Sequence, residues 1–102
     1  MARNLANERE VKKAAQKEKD LRRQELNDIR TVLSNASGRR LMWRLLERCN
    51  TFNSVFSSEL PRMSYQAGQQ DLGHFLMAEI VSADENLLLK LMKDNHKKGE
   101  EE

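Results

Sequence analysis

The sequence predicts an all-α protein, a small helical bundle of three short helices preceded by a long amphipathic N-terminal helix. Three observations carry that prediction. Apolar residues recur at helical spacings, mixed from three to five in the first helix and of three and four in the second, and no stretch alternates apolar and polar residues over a useful length. Breakers are sparse, with a single proline, Pro61, and four glycines that never cluster. Charged residues make up 33% of the chain and aromatics only 5%, a balance that suits solvent-facing helical surfaces better than a large core.

The first helix is expected over residues 4–34. Its apolar positions are Val11, Ala14, Ala15, Leu21, Leu26, Ile29, Val32 and Leu33, and alanines thin the stripe at its start. Glu8 with Lys12, and Glu18 with Arg22, are pairs four apart that support an exposed helix. Such a helix is about 45 Å long. Residues 1–34 are therefore expected to form a charged helical arm, its first half ordered only by a partner.

The segment SNASG, residues 34–38, breaks the pattern with residues that favour caps and turns, and Gly38 permits unusual backbone angles. The second helix is expected over residues 38–50, with Leu41, Leu45, Leu46 and Cys49 on one face and Met42 and Trp43 broadening it. Residues 50–63 form the longest loop. Its Phe52, Val55 and Phe56 are expected to fold back as a lid on the core, the alternative being a neighbouring subunit.

The third helix is expected over residues 64–81, with Tyr65, Leu72, Leu76 and Ile80 as its stripe. Glycine inside a helix is unfavourable by about 1 kcal/mol relative to alanine. Gly68 and Gly73 therefore suggest a close crossing against the second helix. Ser82 followed three residues later by Glu85 has the form of a capping box, which starts a fourth helix over residues 83–95 with Leu87, Leu88, Leu91 and Met92 inward. Residues 38–95 are thus the compact domain, with Leu41, Leu45, Leu72, Leu76 and Ile80 as its core, and residues 96–102 are a frayed acidic tail.

Little in the sequence does chemistry. Cys49 is the only cysteine, so no internal disulfide forms. Its candidate bases are His74 and His96, of which the second falls in the tail. One cysteine and two distant histidines give no zinc spacing, and the scattered glycines make no phosphate loop. No catalytic group, metal or cofactor is expected. The N-terminus lacks an apolar run of signal-peptide length and no segment has the length of a membrane span, so the chain is expected to be made in a cytoplasm and to stay soluble there.

Charge is unevenly distributed. Residues 1–33 carry +3, residues 34–62 carry +3 and residues 63–102 carry −4, within a net +2. A basic front and an acidic back favour head-to-tail contact between copies, or a basic face against an acidic partner. The strongest local signal is GRRLMWRLLERC, residues 38–49, where Arg40, Arg44 and Arg48 lie four apart on one face with Arg39 at its edge. Three destinations are open to these arginines: acidic protein, the phosphates of DNA bound without sequence preference, or water. The modest net charge favours acidic protein.

Two segments carry a resemblance. GRRLMWRLLERCNTF, residues 38–52, and YQAGQQDLGHFLMAEI, residues 65–80, with a short Leu-rich helix after SADEN, resemble a family of small tailed-bacteriophage proteins typified by one from a short-tailed Bordetella phage. The shared pattern is an Arg-Arg-led helix with a Trp-Arg-Leu-Leu core and a late cysteine, an aromatic loop, and a helix with glycines spaced like Gly68 and Gly73. It covers about residues 37–92 and departs at Gln69 and Gln70, where a more basic pair is expected. The resemblance implies a gene among those for virion structural proteins. The chain is accordingly expected to be a non-enzymatic, multi-copy virion component at the portal vertex or in the internal core, part of the portal and ejection machinery. Its expected partners are further copies of itself and other virion proteins. A transient scaffold or chaperone, or a sequence-nonspecific DNA-binding protein, are the alternatives.

Overall fold

The computed structural model describes the backbone of residues 5–101 and the side chains of residues 5–95. Four helices follow one another: α1 (Leu5–Val32), α2 (Ala36–Arg48), α3 (Leu60–Ala83) and α4 (Glu85–Glu101), with no strand among the described residues. The all-α expectation stands. Backbone helix runs through the expected frayed tail as far as Glu101, and the tail's side chains, His96 included, lie outside the described residues.

Local chemistry sets the boundaries. Asn35 caps α2, its side-chain oxygen accepting a hydrogen bond from the Gly38 amide at 2.8 Å. The C-terminus of α2 closes with Asn50 at φ 55°, the Asn50 amide donating to the Glu47 carbonyl and the Thr51 amide to the Leu46 carbonyl. That double reversal, with Asn in the left-handed position, satisfies carbonyls the helix leaves open. α3 begins at Leu60 rather than at residue 64, because Pro61 sits in the first turn, where a missing amide hydrogen is no loss. The start of α4 also differs from expectation. Asp84, not Ser82, is the cap, accepting from the Asn86 amide at 3.0 Å, while the Ser82 hydroxyl donates back to the Ala78 carbonyl.

The core draws one residue from each part of the chain: Leu33 just past α1, Leu46 of α2, Ile80 of α3 and Leu91 of α4, all at most 1% exposed. Ile29, Met42, Trp43, Leu76, Met77, Leu87 and Leu88 pack around them. Two expectations are corrected here. Leu41, Leu45 and Leu72, placed in the core by periodicity, are 52%, 45% and 53% exposed, while Ile80 is buried and Leu76 packs beside it. Nor does the arm extend to residue 34, since Ile29 and Leu33 belong to the packed body and only residues 5–21 are exposed throughout.

Arginines tie the helices together. Arg22 of α1 forms a two-armed pair with Glu79 of α3 at 2.6 and 3.0 Å, and Arg30 donates to the Ala83 carbonyl at 2.7 Å. In the loop, Phe52 stacks on Trp43 with ring centres 5.3 Å apart. Phe56, also expected in the lid, is 83% exposed instead. The whole measures 70 × 38 × 16 Å, with a radius of gyration of 19.7 Å, well above the ~13 Å of a compact chain of this length.

Candidate functional site

The outward chemistry of the molecule concentrates where α2 and the first turns of α3 run past one another. Leu41 and Leu45 face away from the core there because the buried side of α2 is taken by Met42, Trp43 and Leu46. Being one position before these residues, they stand roughly 100° around the helix. With Tyr65 of α3, which is 70% exposed, they floor an open groove of about 840 Å³. Arg44, Arg48 and Arg62 line the same groove with a single carboxylate, Glu47. None of the three arginines has a hydrogen-bond or ion-pair partner among the described residues.

The four arginines of the sequence stripe separate in the structure. Arg44 and Arg48 reach the groove. Arg39 is spent inside the chain: its side chain is 11% exposed, its Nε donates to Asp94 of α4 at 3.0 Å, and a terminal nitrogen donates to the Leu33 carbonyl at 3.0 Å. It closes the end of α1 and ties α2 to α4, so it is corrected from an outward contact to an internal one. Arg40 is exposed and donates to the Ser37 hydroxyl at 3.1 Å. Arg62 joins the groove unforeseen. Starting the third helix at residue 64 hid it, and the signal that finds it is Pro61, which marks a first helical turn that includes Arg62.

Gln69 lines the groove's end, and Gln70 stands beside it. Gln69 accepts from the Asn50 side chain at 3.0 Å, and Gln70 donates to the carbonyls of Asn50 and Asn53 at 3.0 and 2.7 Å. The amides that stand where the family resemblance led to a basic pair therefore hold the turn after α2 against α3. Beneath them Gly73 is buried, because a Cβ there would fall 2.0 Å from the Thr51 hydroxyl oxygen and 3.0 Å from the Cys49 Cβ. The close crossing against the second helix expected from Gly68 and Gly73 is replaced by a close approach of Gly73 alone to the turn after α2, at Cys49 and Thr51, since Gly68 faces open space.

Cys49 is a half-buried free thiol against that crossing. His74, its nearer candidate base in sequence, directs Nε2 to the Thr51 carbonyl at 3.2 Å. No three His, Cys, Asp or Glu side chains among the described residues are grouped to hold a metal ion, and no helix among them is long and apolar enough to cross a membrane. What the groove can do is bind, with guanidinium forks matched to carboxylate or phosphate and an apolar floor between them.

Fold and groove together define a small, extended, all-helical protein whose outward chemistry is a basic surface groove. The chain belongs to the family of Bbp19-like phage proteins, whose model matches residues 29–93. The match opens at Ile29, the first residue of α1 that packs against the buried core cluster, and takes in all four core residues and the whole groove. No curated protein and no solved structure matches the chain.

Proposed function

We propose that this phage protein is a non-enzymatic structural subunit of a short-tailed phage virion, assembled in many copies at the portal vertex or in the internal core. The observation that carries the reading is the groove itself. Three guanidinium groups without partners among the described residues, and three exposed apolar or aromatic side chains, form a surface that the single chain leaves unused. A core of four fully buried large side chains among the described residues points the same way, because small chains with little core commonly gain stability by association.

The test is mass spectrometry of purified mature virions, with the copy number measured against the portal protein. A number near a small multiple of the portal's supports the reading. Absence from mature virions sinks it. A second reading, a transient scaffold or chaperone, draws on the arm, since residues 5–21 are exposed along their whole length and offer a removable contact. Presence in empty precursor particles and loss on maturation would select it.

A further inference from the structure

We infer that the groove between α2 and α3 receives the acidic stripe of α1 from a second copy of this chain, an inference that names the partner of the groove on which the proposed function rests. α1 carries two stripes. Arg22, Leu26, Ile29 and Leu33 face the body and are half-buried or buried. Beside them Glu18, Leu21, Glu25, Asp28 and Val32 follow at spacings of three and four, and every one is exposed, Leu21 by 53% and Val32 by 49%. Such spacing lines one side of a helix. Glu25 is only loosely engaged, by Arg22 at 3.9 Å, and Glu18 and Asp28 have no partner among the described residues.

The stripe is the complement of the groove. Three carboxylates, Glu18, Glu25 and Asp28, with Leu21 and Val32 among and after them, match three guanidinium groups set around Leu41, Leu45 and Tyr65. A nucleic acid fits less well, because phosphates satisfy the arginines but leave the leucine floor uncovered. An amphipathic acidic helix covers both parts at once. Stripe and groove share no residue, so one copy donates its stripe to a neighbour while receiving another. Exchanged reciprocally the contact closes a two-fold dimer, and run head to tail it closes into a ring or continues as a filament.

Charge reversal on the full-length protein tests the pairing. Arg44→Glu/Arg48→Glu makes groove and stripe both acidic, and Glu25→Arg/Asp28→Arg makes both basic. Like charges across an interface are costly, so each variant alone is expected to self-associate at least about tenfold more weakly than wild type by analytical ultracentrifugation. Mixed one to one, the two variants present opposite charges at every contact and should assemble again. All four positions are exposed, and circular dichroism checks that helix content is kept; if the glutamates disturb folding, Arg44→Gln/Arg48→Gln tests the same groove. Wild-type protein that stays monomeric, reversals that leave its mass unchanged, or a mixture that fails to reassemble overturns the inference. Unchanged mass with lost affinity for duplex DNA would assign the groove to nucleic acid instead. The virion reading fails separately, by absence from mature particles, whatever the reversals do.

Discussion

Gly38, Gly68 and Gly73 meet different surroundings, and none has a positive φ, so space rather than backbone freedom decides what each does. A Cβ at Gly38 would fall 1.8 Å from the Val32 carbonyl oxygen, so this glycine lets α2 begin against the end of α1. At Gly73 a methyl group would displace the Thr51 hydroxyl, which donates to the Leu46 carbonyl at 2.6 Å. At Gly68 it would meet nothing within 4 Å. Gly73→Ala is therefore expected to destabilise the chain by about 1–3 kcal/mol, and Gly68→Ala to stabilise it by about 0.5–1 kcal/mol. Urea denaturation of the two variants reads both signs, and equal shifts in the same direction would contradict the packing. The sequence showed two glycines on one helix but not which one meets a neighbour. The difference lies in which side of α3 faces the turn after α2, a fact of tertiary packing.

At the scale of the element, helix identity was legible and helix orientation was not. α3 shows why. It carries Leu76, Met77, Ile80 and Ala83 inward and Tyr65, Leu72, Phe75 and Val81 outward. A helix apolar on both sides gives periodicity no preferred face. Ile80→Ala should cost about 2–5 kcal/mol because it opens a cavity in the core, whereas Leu72→Ala, on a half-exposed position, should change stability by less than about 1 kcal/mol. Comparable losses at both positions would restore the periodicity-based core. The pairing of α1 with α3 has a pH signature. Hydrogen bonds from Arg22, with its charge adding to them and desolvation opposing, hold the Glu79 carboxyl below its ordinary value. Arg22, raised by the same contact, stays charged throughout the acid range. Unfolded, Glu79 returns to the ordinary range of a glutamate carboxyl, so between the folded and unfolded values the unfolded chain binds more protons and stability rises with pH. The contribution is complete above the unfolded value and is lost as pH falls through the folded one. Thermal melts from pH 7 downward should show Glu79→Gln less sensitive to acid than wild type, and parallel curves would remove Glu79 from the account.

On the scale of the whole molecule, the packed body and the arm obey different physics. The body joins four helices around Leu33, Leu46, Ile80 and Leu91. The arm, residues 5–21, is exposed along its length, and a helix of that size with nothing packed on it is marginal in water. Its mixed charges and alanines were legible in the sequence as a thin stripe. Its junction with the body was not, because Leu26, Ile29 and Leu33 continue the same spacing and only their burial separates them from Val11 and Leu21. Backbone amides in the arm should then exchange with deuterium quickly in dilute protein, while those of α2 and α3 around Leu46 and Ile80 exchange slowly. If copies join through the stripe of α1, raising the protein concentration into the assembled range should slow exchange over residues 18–32 beyond what the body alone provides. It should also slow exchange at the groove side of α2. Deleting residues 1–17 removes no buried side chain among those described, so the shortened chain should unfold within about 0.5 kcal/mol of the full one. It should still assemble through Leu21, Glu25, Asp28 and Val32. Protection that rises in the arm's first turns but not over residues 18–32 would place the contact between copies at the tip of the arm instead, and would predict that the shortened chain stays monomeric.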